Sequence, residues 1–271
     1  MKKIITLSTI PSRIKDVGEF GIMKTLHSLI NQEYDGEFEI HFNVPIVSHK
    51  TQEPYIIPEK IRDLAAQHSH FKIFDGLEDK GSVSKIFYTL QREQDPDSII
   101  ITSDDDLVYH PKMLEEQVKN QEKYPNTAVG YDGFRAEREN GEQLFHDQRD
   151  HFVVSVPRDT YVSWLQNYKT VSYRRSFFGE DFYEFALTAP TWADDLIISS
   201  YLGMKKIPRL VTWYENEPKI ETIEEWMLRG GVLTFPVLAH TAHERYEGCE
   251  LYRKENVYDN HSYFVEKGYI K

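Results

Sequence analysis

Short apolar runs and amphipathic helical stripes take turns along the first hundred residues, and this rhythm constrains the fold more than any other feature. Ile4 to Ser8 reads as a buried strand. Phe20 to Asn31 carries Ile22, Met23, Leu26, Leu29 and Ile30, the spacing of one helix face. Phe38 to Val44 alternates polar and apolar residues up to Pro45, as a strand does. Pro58 opens a helix through Ile61, Leu64 and Ala65, and Phe71 to Phe74 forms a third short strand. Ser82 stands as the cap of a helix through Val83, Ile86, Phe87 and Leu90. Ser98 to Thr102 is almost wholly apolar, the mark of a strand covered on both faces. This order predicts an α/β fold with a mostly parallel, doubly wound sheet and right-handed crossovers. Ligands of such sheets bind beyond the carboxyl ends of the strands.

Further along, Pro111 to Tyr124 reads as a helix, Ala128 to Phe134 as a strand, Trp192 to Leu202 as a helix and Arg209 to Trp213 as a strand. Residues 135–190 are irregular and rich in Tyr, Phe and Trp, too long for an ordinary loop, and are expected to wall the acceptor side of a cleft. No linker divides the 271 residues, so 1–271 is expected to be one domain. The net charge of -12 argues against a nucleic-acid partner, because phosphate contacts need a basic surface. Cys249 is the sole cysteine, which excludes an intramolecular disulfide and a cysteine-based zinc site. The Met1-Lys2-Lys3 start precedes an apolar run broken by Ser8 and Thr9, too short for a signal peptide. No stretch reaches the roughly 18–20 apolar residues of a transmembrane span, and the expected location is cytoplasmic. The oligomeric state is left open.

The chemistry concentrates at the end of the fourth strand. Ile99-Ile100-Ile101-Thr102-Ser103-Asp104-Asp105-Asp106 sets three carboxylates directly after buried backbone. They repel one another unless a cation offsets them. Mg²⁺ or Mn²⁺ does so, taking one or two carboxylates together with substrate phosphates. Alternation gives Asp104 and Asp106 a common facing if the strand geometry continues, so that one addresses a ribose and the other the metal. A solvated acidic turn leading to Pro111 is the plainer reading.

A strand ending in Asp-X-Asp resembles the hallmark of GT-A glycosyltransferases, especially the broad family 2-like group. Three other segments agree in order and spacing, over roughly residues 1–215. Thr6 to Arg13 resembles the first strand and loop that hold the nucleoside, which points to Thr9, Pro11 and Arg13. Asp79 to Lys85 resembles the loop and helix start where a basic residue meets the diphosphate, which points to Lys80 and Lys85. Trp192-Ala193-Asp194-Asp195-Leu196 resembles the acidic pair that opens a helix on the acceptor side. Here the first acid is Asp where the family more often has Glu.

The resemblance implies a GT-A, Rossmann-like sheet with a nucleotide-sugar half at 1–134 and an acceptor half at 135–271. It implies transfer of a sugar, from a UDP-sugar before other donors, to a glycan or other hydroxyl acceptor with inversion. Asp104 and Asp105 would contact the donor, and Asp104 and Asp106 the Mn²⁺ or Mg²⁺. Asp195 would be the general base with Asp194 beside it, Trp192 would stack on a sugar face, and His240 or His243 would add a metal ligand.

Each residue type also has a plainer role. Lysines at a helix start favour an anion, yet exposed lysines are usually just solvated. Asp194 and Asp195 cap a helix well, whereas a positioned carboxylate also activates an alcohol. A core Trp is as ordinary as a stacking one. Histidines three apart share a helical face, or simply lie in a polar loop. Two other classes compete with the transferase: a sugar-phosphate nucleotidyltransferase, whose Gly-rich signature near residue 10 is missing, and a non-catalytic carbohydrate-binding protein.

Overall fold

The computed structural model describes residues 1–18, 21–134, 137–139, 142–144, 160–189, 193–212 and 233–234. The first half follows the predicted rhythm: β1 (Lys3–Ser8), α1 (Pro11–Ile14), α2 (Ile22–Ile30), β2 (Glu39–Pro45), α3 (Glu59–Gln67), β3 (Phe71–Leu77), α4 (Ser84–Arg92) and β4 (Ile99–Thr102). The second half comprises β5 (Leu107–Val108), α5 (Met113–Lys123), β6 (Ala128–Gly130), β7 (Gly133–Phe134), β8 (Glu137–Glu139) and β9 (Glu142–Leu144). After these come β10 (Thr160–Tyr161), β11 (Trp164–Leu165), β12 (Val171–Arg174), α6 (Asp181–Thr188), α7 (Asp194–Met204), β13 (Arg209–Val211) and β14 (Leu233–Thr234).

The main sheet runs β10-β13-β6-β12-β4-β1-β2-β3. The block β4-β1-β2-β3 is wholly parallel, and β6 is parallel to β13. β12 runs antiparallel to both β4 and β6, and β10 antiparallel to β13, so the sheet is mixed but mostly parallel.

Period-two alternation on the central strands sends side chains to two separate cores. Ile5, Leu7, Ile99 and Ile101 pack with Ile22, Leu26, Ile61 and Met113 from α2, α3 and α5. Ile4 and Ile100 face the other way, against Ile86 and Leu90 of α4, Phe182 of α6 and Ile198 of α7. Helices therefore cover both faces, and only the strand ends are left for chemistry.

Three local readings change. The Ala128–Phe134 strand is broken: β6 lies in the main sheet, while β7 pairs with β11. Gly133 permits this, since a Cβ there would lie 2.7 Å from the Trp164 carbonyl oxygen. Ser82 does not cap α4 but lies in a 3₁₀ turn (Gly81–Val83) that precedes it, with Gly81 at φ +70°. Region 135–190 is not irregular throughout, because β12 sits near the centre of the sheet. Its aromatics Tyr173, Phe177, Phe178 and Phe182 are buried core rather than cleft wall.

Candidate functional site

Parallel pairing of β1 with β4 sets Thr6 opposite Thr102, so the loops that follow the two strands emerge side by side. Pro11 occupies the first turn of α1, where its fixed φ suits a helix start. One turn of helix then carries Arg13 to the acidic triplet. Its Nη1 lies 2.5 Å from Asp105 Oδ1 and its Nη2 2.9 Å from Asp106 Oδ2. Thr9 Oγ1 donates to Asp105 Oδ2 at 2.5 Å, and Thr25 Oγ1 donates to the Asp105 carbonyl at 3.1 Å. Asp105 is thus buried and fully engaged by protein donors.

The strand ends at Thr102, and residues 105–106 lie in a bend. Alternation therefore does not continue through the triplet. Asp104 turns to Lys85, whereas Asp105 and Asp106 share Arg13. Burial raises the Asp106 carboxyl to about 7; Arg13 opposes that rise, and Asp105 and Asp104 add to it. Asp106 is the triplet member most in need of further positive charge.

Lys85 lies in the first turn of α4. Its carbonyl accepts from Asn43 Nδ2 at 2.9 Å and from Thr6 Oγ1, which ties α4 to β1 and β2. Its ammonium pairs with Asp104 and lies 2.8 Å from Asp194 Oδ2. Burial lowers the Lys85 pKa, but Asp104 and Asp194 outweigh it and hold the group well above its ordinary value. Lys80 is not brought here: its ammonium pairs with Glu78 at 2.6 Å.

Asp194 and Asp195 begin α7, where the helix dipole favours anions. The Asp194 N–H donates to Ser82 Oγ at 3.0 Å, docking α7 on the turn before α4. Asp195 Oδ1 accepts from the Asn167 backbone N–H at 2.7 Å and from Asn167 Nδ2 at 3.0 Å. Burial, then the Asp194 charge, raise the Asp195 carboxyl to about 7, against the hydrogen bond from the Asn167 backbone N–H and against Lys85. Such a carboxyl is matched to proton transfer near neutral pH.

Several participants carry no motif. Asn167 is one. Asp132 is another, following β6 and accepting from Tyr168 Oη at 2.9 Å and Lys169 Nζ at 2.7 Å. Tyr168 is held neutral by burial, Asp132, Asp195 and Asp104, which places it between the two acidic clusters. Asp132 was within reach of the rule that ligands sit beyond the carboxyl ends of strands; Asn167 offered no such signal.

Trp192, His240 and His243 lie outside the described residues. β14 pairs with β5, Thr234 opposite Leu107, so the chain returns beside the residue that follows Asp106. Among the described residues no three His, Cys, Asp or Glu side chains are grouped to hold a metal ion. An all-protein cage is therefore not formed by these residues. The half-satisfied Asp106 with Asp104 does suit a Mg²⁺- or Mn²⁺-type ion whose remaining positions are filled by phosphate and water. No described helix is long and apolar enough to cross a membrane.

No protein-family model matches the sequence, and no curated protein matches it. Among solved structures the chain is similar to S. aureus TarS 1-349 in complex with UDP-GlcNAc, at 14% identity and TM-score 0.48, over 80% of this chain and 60% of that one. It is also similar to mannosyltransferase PcManGT from Pyrobaculum calidifontis in complex with GDP-Man and Mn²⁺, at 16% identity and TM-score 0.48, over 84% of this chain and 60% of that one. A third is the 4-diphosphocytidyl-2C-methyl-D-erythritol synthase from Anaerococcus prevotii, at 16% identity and TM-score 0.47, over 84% and 93%. The chain spans about 60% of the length of the first two.

Proposed function

We propose that the chain is a metal-dependent glycosyltransferase of the GT-A, family 2-like type. It would move a sugar from a nucleotide-sugar donor, a UDP-sugar before others, to a glycan or other hydroxyl acceptor with inversion. One observation carries the reading: Lys85 joins the strand-end Asp104 to Asp194, so an anion-compensating cluster stands directly beside a raised carboxyl, Asp195. A diphosphate needs the first, and an alcohol nucleophile needs the second.

In this reading Thr9, Pro11 and Arg13 border the nucleoside, and Asp104 and Asp106 hold Mn²⁺ or Mg²⁺. The ion supplies charge neutralisation at the departing diphosphate. Lys85 adds a permanent positive charge on the same side. Asp195 takes the acceptor proton as the hydroxyl attacks the anomeric carbon from the face opposite the leaving group. Trp192 and a ligand from His240 or His243 would complete the acceptor and metal sides; the β5–β14 pairing supports the latter by returning the chain toward Asp106.

The test is nucleotide release from a panel including UDP-GlcNAc and GDP-Man, with and without Mn²⁺, read beside sugar transfer to added alcohols. Asp195→Asn should slow transfer by roughly 10²–10⁴-fold and leave UDP affinity unchanged. Pyrophosphate release from a nucleoside triphosphate and a sugar phosphate would instead establish a nucleotidyltransferase. Glycan binding with no turnover of any donor would establish a carbohydrate-binding protein.

A further inference from the structure

Asn167 is buried, 1% exposed, and both polar atoms of its side-chain amide are hydrogen-bonded. Nδ2 and the backbone N–H both donate to Asp195 Oδ1. Oδ1 of Asn167 accepts from Thr102 Oγ1 at 2.7 Å and from Tyr173 Oη at 2.7 Å. The two hydroxyls belong to neighbouring strands: Thr102 ends β4, two residues before Asp104, and Tyr173 lies in β12. With the acceptor face taken by hydroxyl donors, the amide nitrogen faces Asp195, and the orientation of the group is set.

The backbone around Asn167 is constrained as well. The Asn167–Lys169 turn closes at Thr170, which has φ +77° and ψ 136°. A β-branched residue in that region is an outlier that persists only when its surroundings hold it. Here Gln117 Nε2 donates to Thr170 Oγ1 at 2.8 Å, and the Thr170 N–H donates to the Asn167 carbonyl at 3.1 Å. Strain accepted so close to Asp195 indicates that the position of this turn matters.

Among the described residues Asp195 Oδ2 has no hydrogen-bond partner, while Oδ1 has two donors. We propose that Asn167 is a positioning residue for Asp195, locking Oδ1 to the end of β4 so that Oδ2 alone is presented to the acceptor hydroxyl. The inference rests on the reading of Asp195 as the base. It adds a mechanical consequence: Thr102, Asn167 and Asp195 form one hydrogen-bonded path, so the strand that leads into Asp104 also sets the base. Removing the Nδ2 donor leaves an ionised Asp195 less stabilised, and its proton should then leave at higher pH. The charged and titratable groups facing Asp195 are Asp194, Lys85, Asp104, Tyr173 and Tyr168. The first three are untouched by an Asn167 substitution.

The experiment uses the full chain labelled with ¹³C at aspartate carboxyls, with Asp195→Asn to assign the signal. Asn167→Ala should move the Asp195 titration upward by roughly one pH unit. Tyr173→Phe, which removes one anchoring hydroxyl and keeps the shape of the core, should move it the same way by less. With whichever of UDP-GlcNAc and GDP-Man turns over in Mn²⁺, Asn167→Ala should lower kcat about fivefold at pH 7 and leave donor KM unchanged. The acid limb of its pH profile should move in step with the carboxyl. Titration unmoved in both variants overturns the inference, as does an activity loss with an unmoved acid limb. If Asn167→Ala does not fold, Tyr173→Phe decides alone. Full transfer by Asp195→Asn would instead remove the base, a separate failure recognisable without either Asn167 result.

Discussion

Lys85 Nζ lies 2.8 Å from Asp194 Oδ2 while it also pairs with Asp104, so one ammonium joins an acid at a strand end to an acid at a helix start. The Lys85 side chain is only 6% exposed, so neither carboxylate finds an equivalent partner in water. The Thr6 and Asn43 bonds to the Lys85 carbonyl keep the first turn of α4 in register with β1 and β2. The acids at the end of β4 and those at the start of α7 are thereby built as one piece.

Lys85→Gln should therefore be costly. Deleting one partner of a buried ion pair leaves an uncompensated charge, and the loss is typically about 3–5 kcal/mol. Urea denaturation at pH 8 is the measurement. Mn²⁺ should restore part of the loss, because a cation near Asp104 replaces some of the missing charge. A variant as stable as the parent would mean that the ammonium does not hold the cluster together.

The three adjacent acids should separate by phenotype. Asp105 is occupied by Arg13 and Thr9, so Asp105→Asn should cost stability, about 2–3 kcal/mol, through the guanidinium left without its buried partner. Asp106 carries a carboxyl already raised to about 7 by burial, so Asp106→Asn should cost little stability. It should nevertheless abolish Mn²⁺-dependent UDP binding in calorimetry. UDP affinity unchanged by Asp106→Asn would remove it from the ligand set.

The stability of the chain should depend on pH through Asp195. Its folded pKa is raised from 3.8 to about 7, so the folded state keeps a proton that the unfolded state has lost. The resulting penalty is absent below about pH 4, grows as pH rises, and is complete above about pH 7. The full displacement corresponds to about 4 kcal/mol, and partial solvent contact of the side chain screens this to about 1–2 kcal/mol. Asp195→Asn keeps an oxygen for both Asn167 donors and removes the charge. It should be more stable than the parent by that amount at pH 8 and equal to it at pH 4. Equal stability at both pH values would show that Asp195 ionises freely.

Legibility of the fold tracked how apolar each strand is. β1, β2 and β4 carry unbroken buried runs because helices cover both faces, and a sequence shows this directly. β12 is Val-Ser-Tyr-Arg, half polar, and the Ser172 hydroxyl is satisfied inside the core by donating to the Val129 carbonyl at 3.2 Å. Nothing local announces a central strand there. The site divides in the same way. The triplet and the Asp194-Asp195 pair are contiguous and so were visible, and parallel neighbours bring loops together, which is why Arg13 meets Asp105. The bonds of Lys85 to Asp194 and of Asn167 to Asp195 join residues far apart in sequence through turns that no periodicity encodes.

The aromatic stretch gives the last prediction. Its composition predicts a wall on the acceptor side of a cleft. In the described part, Phe178 stacks on Tyr201 at 6.0 Å with an interplanar angle of 5°, and Phe182 meets the same ring edge-on at 5.0 Å. Tyr201 Oη also donates to Asp181 Oδ1 at 2.7 Å and accepts from the Gly179 N–H at 2.9 Å, which pins the start of α6 to α7. Rings so packed belong to the core, and β12 is bonded on both edges to β4 and β6. The amides of Ser172 and Tyr173 should therefore exchange only on global unfolding, with protection unchanged by UDP and Mn²⁺. Phe182→Ala should lower stability by about 3–5 kcal/mol without changing UDP affinity. Ligand-dependent protection across 171–186 would return this segment to the wall of a ligand site, and a Phe182→Ala chain as stable as the parent would place that ring outside the core.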